Sequence, residues 1–458
     1  MNCLHKTHDI QVKLWYHIGR YDTCALFSAS TAENRALKSA GGIMSGNGHN
    51  IISADMIPVQ KINEGERKMY LIKNVHVYAP EDLGFMDVLV GGARILKMAE
   101  HLPTESAYGV KEIDGTGKVL MPGLIDAHVH ILGGGGEGGA KSRTPEIMLT
   151  DITEGGVTTV VGCLGTDGCT RTMTSLLAKA KGLEEEGITT YVYTGSYQVP
   201  VRTLTGSIMD DIILLEKVVG TGEIAISDHR SSQPTREEFA KIIADTRVGG
   251  ILSAKAGLVN IHMGDGQEKL EYLRYVLKNT QIPPTNMLPT HINRSHALMA
   301  DGIDYAKTMG GYIDLTTSSD PNFLDPDEVK ASTGLKMALD AGVSAGHVTF
   351  SSDGQGSLPV FAPDGTFLGL GVGKVSSLYR EMRDAVLVDG VPLTDALKPV
   401  TKNPAFLLKL ENKGKVEEGA DADLVLSDAK TLEIHTVMAK GTIMISEKKV
   451  LVKGTFER

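Results

Sequence analysis

The sequence predicts an α/β protein, a (β/α)8 TIM barrel that carries a small accessory β-sandwich. Three observations support this prediction. Eight short apolar runs rich in β-branched residues occupy the middle of the chain, helix-compatible stretches separate most of them, and β-rich segments lie at both ends. Strands that alternate with helices indicate a parallel sheet, and eight such units in about 235 residues fit a closed barrel.

The apolar runs are the predicted barrel strands, and they occur in a fixed order. They are LMPGLIDAHVHI (120–131), TTVVGCL (158–164), TTYVYTG (189–195), EIAIS (223–227), LVNIHM (258–263), NMLPTHI (286–292), YIDLTTS (312–318) and VTFSSD (348–353). The stretches SLLAKAKGLEEEG, REEFAKIIADTR and EKLEYLRYVLKNT predict intervening helices. An open doubly wound sheet is the alternative, but no dinucleotide-binding fingerprint follows the first run. The loop GGGGEGG (133–139) lacks the GK[ST] signature and the immediate helix of a phosphate loop.

Composition changes along the chain predict its domain boundaries. Residues 1–68 are mostly small, polar and aperiodic, which predicts a weakly ordered extension, and regular alternation begins at Met69. The strand-like MYLIKNVHVYAP and MDVLVGGARILKMA follow, and ADLVLSD, IHTVMAKGTIMI and KKVLVKGTF repeat this style near the end. We therefore assign residues 69–121 and 408–458 to the accessory sandwich and residues 122–407 to the barrel.

Charge, hydropathy and cysteine usage exclude several classes of protein. The net charge of −10 argues against nucleic acid or an anionic membrane as the main partner. No apolar run approaches the ~20 residues that span a bilayer, and the start lacks the features of a signal peptide. Cys3, Cys24, Cys163 and Cys169 form no CxxC pair, so we expect no disulfide framework and a cytoplasmic location.

Histidines and an acid at the ends of the predicted strands indicate a metal site. His128 and His130 flank one residue at the end of the first run, and the two-residue period of a strand places both imidazoles on one face. His262 ends the fifth run, His291 lies in the sixth and Asp353 ends the eighth. Because the carboxyl ends of barrel strands share one mouth, we expect these side chains to converge on a cation.

The order of these residues resembles that of the amidohydrolase superfamily: HxH on strand one, a bridging acid on strand four, histidines on five and six, and Asp on eight. More specific motifs resemble the isoaspartyl (β-aspartyl) dipeptidase family, from about residue 70 to the C-terminus. They are YAPED (78–82), PGLIDAHVHILGGGGEGG (122–139), LGTDG (164–168), GSYQVP (195–200), TLTGS (203–207), ISDHRSS (226–232), RVGG (247–250), HMGD (262–265), LPTHINR (288–294), SSDGQGS (351–357), GADADLVL (419–426) and VKGTFE (452–457).

The resemblance implies a zinc metallohydrolase that cleaves the β-aspartyl peptide bond of isoAsp-X dipeptides by attack of a hydroxide shared between two zinc ions. The histidine ligands would be His128, His130, His262 and His291. Asp353 would ligate one zinc and act as general base and acid. Tyr197 would donate a hydrogen bond to the scissile carbonyl oxygen as it becomes an oxyanion.

The resemblance also implies a set of substrate-binding residues. The α-amino end of the isoaspartyl unit would be held by Glu137, the Gly135 backbone, Thr166 and Ser357. Arg230 and Arg294 would bind the two substrate carboxylates. One acid and two arginines are complementary to a ligand that carries one ammonium and two carboxylates. A homo-oligomer, an octamer in this family, is implied as well.

One position departs from the family pattern. The family bridges its metals with a carboxylated lysine on strand four, where this sequence has Glu223. Lys217 lies nearby but precedes a predicted VVGTG turn, so we expect it to be off the strand. A glutamate supplies the bridging carboxylate directly, as in some other members of the superfamily. We therefore predict that Glu223 is the bridging ligand.

Two other functions remain open. Another amidohydrolase, acting on N-acyl amino acids or cyclic imides, would share the metals but should lack the combination of Glu137, Arg230 and Arg294. A non-catalytic scaffold would typically have lost metal ligands, whereas all four histidines and Asp353 are present.

Overall fold

Alternating apolar residues form the first strands of an accessory sheet. The computed structural model describes residues 69–103, 109–321, 324–362 and 366–458, which belong to one unit. The predicted weakly ordered extension of residues 1–68 lies outside the described residues. The first five strands are β1 (Met69–Tyr78), β2 (Asp82–Gly91), β3 (Arg94–Ala99), β4 (Lys111–Asp114) and β5 (Lys118–Pro122).

The eight apolar runs form eight barrel strands, which confirms the predicted fold. Their side chains are buried on both faces, as in other parallel sheets whose faces are covered. The strands are β6 (Leu124–Val129), β7 (Val157–Gly162), β8 (Thr189–Thr194), β9 (Val218–Ile226), β10 (Leu258–Met263), β11 (Met287–Thr290), β12 (Ile313–Thr316) and β13 (Val348–Ser351). Strands β6 to β11 form one six-stranded sheet, and β12 pairs with β13.

The barrel closes where the end of its last strand meets its first strand. The amide of Asp353 donates to the His128 carbonyl over 3.1 Å, and the amide of His130 donates to the Gly354 carbonyl over 2.9 Å. At the other seam, the Asp314 carboxylate on β12 accepts hydrogen bonds from Thr290 on β11 and Thr349 on β13. The Thr290–Asp314 hydrogen bond therefore joins β11 to β12, two strands that share no backbone ladder among the described residues.

Strand β9 is longer than the sequence suggested. The predicted VVGTG turn is wrong, because these residues are the buried first half of the strand, which continues through Glu223 to Ile226. A Cβ on Gly220 would lie 2.0 Å from the Leu258 carbonyl oxygen. Glycine here permits the close approach of β10 instead of a change of direction.

Ten α-helices are present in the described residues, and α2, α4 and α5 correspond to the stretches predicted to be helical. They are α1 (Leu149–Thr153), α2 (Met173–Glu185), α3 (Ile208–Leu214), α4 (Arg236–Leu252), α5 (Glu271–Asn279), α6 (His296–Met309), α7 (Ala331–Asp340), α8 (Ser377–Leu387), α9 (Leu393–Ala396) and α10 (Lys402–Leu407). Thr235 and Glu238 form a capping box at the start of α4. Across the described residues, no helix has the length and apolarity that a bilayer crossing requires.

The remaining strands complete the rim of the barrel and the accessory sheet. An antiparallel hairpin of β14 (Ser357–Phe361) and β15 (Phe367–Val372), which the sequence did not predict, follows β13 directly. The last strands are β16 (Leu424–Asp428), β17 (Ile434–Ala439), β18 (Thr442–Ser446) and β19 (Lys449–Val450). They join β1–β5 in one nine-stranded sheet through the antiparallel pairing of β5 with β16. The division into residues 69–121 with 408–458 and residues 122–407 stays a proposal.

Candidate metal and substrate site

Five barrel strands bring the predicted metal ligands to one place. His128 lies on β6 with His130 just beyond its end, and Glu223, His262 and His291 come from β9, β10 and the residue after β11. Asp353 follows β13. All six are buried or nearly so, and the His128 and Glu223 side chains are fully inaccessible. The convergence expected from the strand ends is therefore present.

The Glu223 carboxylate lies between two pairs of histidines, and each of its oxygens faces one pair. Its Oε1 is 2.7 Å from His262 Nδ1 and 3.2 Å from His291 Nε2. Its Oε2 is 3.2 Å from His128 Nε2 and 3.7 Å from His130 Nε2. Asp353 Oδ1 is 2.9 Å from His130 Nε2, on the same side as Oε2. A carboxylate placed in this way has the arrangement of a bridging ligand.

Several polar atoms of this cluster fit a cation better than a hydrogen-bond partner. Both ring nitrogens of His128, Oε2 of Glu223 and Oδ1 of Asp353 are buried without a hydrogen-bond partner among the described residues. Buried polar groups are normally satisfied, so this concentration of unsatisfied ones indicates a ligand. Two groups have the spacing to hold a metal, and both contain Glu223: one with His128, His130 and Cys163, and one with His262 and His291.

Cys163 was not among the predicted ligands. It follows β7, the strand beside β6, and its Sγ lies 3.6 Å from His130 Nδ1. The Nε2 of His130 faces Glu223 and Asp353, so the thiol contacts the opposite side of the ring. Its position at a barrel strand end was the available signal in the sequence.

Three groups of the cluster have the ionisation state that metal binding requires. Burial opposes the charge of Glu223, but the surrounding histidines outweigh it and hold the pKa of this carboxyl well below its usual range. Burial also opposes ionisation of Asp353, yet its close contact with His130 lowers its pKa to about 2. Burial and the neighbouring His262 lower the pKa of His291 to about 3, which keeps its imidazole neutral. Anionic carboxylates and a neutral imidazole are the forms that coordinate metals.

Tyr197, the predicted hydrogen-bond donor, lies beside the cluster. Its side chain is buried, and its hydroxyl oxygen is 2.7 Å from His262 Nδ1. Burial and the nearby Glu223 charge raise its pKa well above the usual value. The phenol therefore keeps its proton at neutral pH and remains a donor.

A cavity of about 470 Å³ opens above the cluster, and the predicted substrate-binding residues line it. They are Gly135, Glu137, Thr166, Tyr197, Arg230, Arg294 and Ser357. The Thr166 hydroxyl donates to Glu137 Oε1 over 2.7 Å. A Cβ on Gly135 would lie 2.8 Å from the Cβ of Ser357, so only glycine allows this close approach. The four residues expected around an α-amino group thus lie together.

The two arginines converge on an acid that the sequence did not single out. Asp228, buried at the end of β9, accepts hydrogen bonds at Oδ1 from Arg230 Nε (3.0 Å) and at Oδ2 from Arg230 Nη2 (2.8 Å). Arg294 Nη1 lies 3.6 Å from Oδ2. The only sequence signal was an acid two positions before Arg230 in ISDHR.

Lys217 lies before β9, as expected from the sequence. Its Nζ donates to the Thr190 carbonyl over 3.1 Å and pairs with Glu184.

Arg171 is a second residue that the sequence did not single out. Its guanidinium is buried and donates to the carbonyls of Leu132 (3.1 Å), Gly135 (3.4 Å) and Thr144 (3.1 Å). These carbonyls belong to the glycine-rich loop after β6 and the segment packed on it. Arg171 thus holds the loop that carries Gly135 and Glu137.

Comparisons with known proteins show that this chain resembles one protein family in sequence and several solved proteins in structure. The sequence profile of the amidohydrolase family matches residues 119–444. The β-aspartyl dipeptidase of Fervidobacterium islandicum AW-1, solved in complex with β-Asp-Leu, is 48% identical, with a TM-score of 0.77 over 84% of this chain and 98% of that chain. A second structure of that organism's enzyme is 46% identical, with a TM-score of 0.75 over 83% of this chain and 98% of that one.

A more distant relative shares most of the chain. The dihydroorotase of Streptococcus pyogenes serotype M3 is 23% identical over 397 residues, which cover 78% of this chain and 90% of that protein. The family profile spans the barrel strands and the strands on both sides of them, well over half of the sequence. This chain belongs to the amidohydrolase family.

Proposed function

We propose that the protein is a zinc-dependent dipeptidase that hydrolyses the β-aspartyl bond of isoAsp-X dipeptides. The observation that carries this proposal is the composition of the cavity wall. Glu137 and the two arginines, Arg230 and Arg294, line the same cavity as His130, His262 and His291, and further acids lie elsewhere on its wall. Such a wall complements an ammonium and two carboxylates around an amide bond. The similarity to a dipeptidase bound to β-Asp-Leu supports the same substrate class.

The metal-binding residues would hold two zinc ions. Glu223 would bridge them, with His128, His130 and Asp353 on one side and His262 and His291 on the other. Zinc supplies Lewis acidity, which polarises an amide carbonyl and makes water a usable nucleophile near neutral pH.

The protein's own side chains would orient the substrate. Glu137, held by Thr166, would accept hydrogen bonds from the α-ammonium, with the Gly135 backbone and Ser357 beside it. Arg294 pairs loosely with Asp228 over 3.6 Å and is free to bind a carboxylate with its planar fork. Arg230 would bind the other carboxylate from the opposite side of Asp228.

Tyr197 and Asp353 would handle charge and protons during hydrolysis. The neutral Tyr197 hydroxyl would donate to the carbonyl oxygen as negative charge develops on it. Asp353 is ionised, and its side chain is 15% exposed toward the cavity. It would accept a proton from the attacking water and pass it to the departing amine. We further propose that the protein acts in the cytoplasm as a homo-oligomer, in line with the resemblance.

Substrate discrimination tests the proposal. Purified protein with two equivalents of zinc is given isoAsp-Leu, α-Asp-Leu, an N-acetyl amino acid and a cyclic imide, and released aspartate or ring-opened product is measured. We expect isoAsp-Leu to be cleaved with a kcat/KM at least 100-fold above that of α-Asp-Leu, which has the same atoms but a different amide position.

The alternatives give distinct results in the same experiment. Preferred cleavage of the N-acetyl amino acid or the cyclic imide would assign another amidohydrolase activity. No turnover of any substrate, with zinc bound, would indicate a scaffold.

A further inference from the structure

Asp228 links the candidate metal ligands to the candidate carboxylate-binding residues. Its side chain is 2% exposed, and it follows β9, the strand that carries Glu223. Oδ1 accepts hydrogen bonds from the Arg230 backbone amide (2.7 Å) and Arg230 Nε (3.0 Å). Oδ2 lies 2.8 Å from Arg230 Nη2, 3.0 Å from His262 Nε2 and 3.6 Å from Arg294 Nη1. One buried carboxylate thus contacts three site residues.

The contact with His262 determines which ring nitrogen can bind a metal. His262 Nδ1 faces Glu223 Oε1, and its Nε2 lies 3.0 Å from both Asp228 Oδ2 and Arg230 Nη2. When Nδ1 donates its lone pair to a cation, the ring proton must lie on Nε2. Asp228 Oδ2 is in place to accept that hydrogen bond. Partners of this kind orient metal-binding histidines and strengthen them as ligands.

The contact with Arg230 determines which edge of the guanidinium remains for substrate. Asp228 occupies the Nε–Nη2 edge with two hydrogen bonds, and the Tyr197 ring lies 5.4 Å below the guanidinium carbon. Nη1 remains on the Glu137 side of the cavity, 3.4 Å from Glu137 Oε1. Because one edge and one face of the Arg230 guanidinium are occupied, the direction of its remaining nitrogen, Nη1, is fixed.

We propose that Asp228 is a positioning residue that fixes the His262 imidazole for metal binding and the Arg230 guanidinium for carboxylate binding at the same time. This proposal rests on the proposed function for its substrate half only. The metal half requires no substrate. Loss of Asp228 should therefore weaken two properties that belong to different ligands.

The test uses Asp228→Asn in the full chain, with Asp301→Asn as the matched control. Asp301 also forms a two-point pair with an arginine, Arg274, with nitrogen–oxygen distances of 3.0 Å, but it does so between α5 and α6. Zinc affinity is measured by chelator competition, KM and kcat with isoAsp-Leu, and stability by thermal melting. We expect Asp228→Asn to weaken zinc binding roughly 10–100-fold and to raise KM at least tenfold, with a smaller change in kcat. Asp301→Asn should lower only the melting temperature.

A double-mutant cycle separates positioning from general damage. Arg230→Lys removes the fork, so we expect it to raise KM while zinc affinity stays within twofold of wild type. If Asp228 acts on substrate through Arg230, the KM of the double variant will match that of the worse single variant. Two results would overturn the proposal. One is a double variant whose KM increase equals the product of the increases in the two single variants. The other is a zinc affinity of Asp228→Asn equal to that of Asp301→Asn.

A second variant and the substrate-free measurement keep the test decisive. Asp228→Glu keeps the charge and displaces the carboxylate by one methylene, so it replaces Asp228→Asn if that variant does not fold. We expect it to weaken zinc binding and to raise KM in the same way, but by smaller factors. If wild type does not cleave isoAsp-Leu, the proposed function fails, and zinc affinity alone then decides the role of Asp228.

Discussion

At the scale of single residues, the proposed bridging role of Glu223 would make the bridging charge part of the polypeptide. A lysine must first react with carbon dioxide before it carries a carboxylate, whereas the Glu223 carboxylate is present as soon as the strand forms. The shorter glutamate side chain still contacts both pairs of histidines, with Oε1 2.7 Å from His262 Nδ1 and Oε2 3.2 Å from His128 Nε2. Two cations held close together need a shared anion to offset their repulsion.

Substitution of Glu223 tests this bridging role. Glu223→Gln keeps the shape but removes the charge, so we expect zinc content to fall from two ions per chain and activity to fall with it. Because no carbamate has to form, wild-type activity should not respond to added bicarbonate. Metal analysis of both proteins measures the first effect. About one zinc per fully active chain, unchanged by the substitution, would contradict the bridging role.

At the scale of elements, the glycine-rich loop after β6 depends on a buried cation. Arg171→Met would leave the carbonyls of Leu132, Gly135 and Thr144 without their donor. We expect a loss of about 2–4 kcal/mol in the free energy of unfolding, since buried donors to several carbonyls are removed. KM for isoAsp-Leu should rise roughly tenfold because the loop carries the α-amino contacts, with zinc content unchanged.

The exposed Arg236 at the start of α4 provides the control for this prediction. Arg236→Met removes a charge of the same kind from the surface and should alter KM and stability little. Equal effects of the two substitutions would show that Arg171 has no special role in holding the loop.

The seam between β11, β12 and β13 should make stability depend on pH. Burial raises the pKa of Asp314 to about 6, despite hydrogen bonds from Ser351, Thr349 and Thr290 that lower it. The folded protein therefore binds this proton more tightly than the unfolded chain, whose aspartate pKa is about 3.9. The resulting stabilisation is complete below about pH 4 and is lost as pH rises to about 6, a change of about 3 kcal/mol.

Asp314→Asn should remove this pH dependence. We expect the free energy of unfolding of the variant, relative to wild type, to improve by about 3 kcal/mol between pH 4 and pH 7. Urea unfolding of both zinc-loaded proteins at four pH values in this range measures the difference. A constant difference across the range would show that Asp314 ionises normally in the folded protein.

The features that could be predicted from the sequence depend on residues within one continuous segment of the chain. A buried parallel strand is a continuous apolar run, and the polar residue at its end must lie at the barrel mouth; this is why His128, His262, His291 and Asp353 could be brought together without a structure. Glu223 was correctly predicted to lie on a strand, but the residues before it were wrongly predicted to form a turn. Glycines such as those just before Glu223 are equally typical of a turn and of close packing between strands.

The features that were not predictable depend on contacts between distant segments. Asp228 and Arg171 contact partners on other strands and loops that their own segments do not indicate. Asp314 lies in a predicted barrel strand, but its partners on β11 and β13 are not evident from that run. The hairpin of β14 and β15 was missed for a related reason. Its two strands are short, β14 contains a proline, and two glycines interrupt β15, so neither resembles the apolar runs of the barrel.

At the scale of the whole molecule, β1 begins at the residue where the sequence predicts that regular patterning starts. The strand begins at Met69 and pairs with β2, β4 and β5. We expect a chain shortened to start at Met69 to fold and to keep full activity, because residues 1–68 lack the patterning of a packed element. Melting temperature and kcat/KM of the two proteins provide the measurement, and a large loss in either on shortening would refute the expectation.

The joining of β5 to β16 has a consequence for how the protein is made. The two strands lie roughly 300 residues apart, so β5 remains an open sheet edge throughout most of synthesis. Open edges recruit other strands, and an emerging chain is vulnerable to aggregation while it presents one. The barrel segments all leave the ribosome before β16 does, so the barrel can close first and the accessory sheet is sealed last. Pairing of β5 with β16 then covers the edge that was open during synthesis.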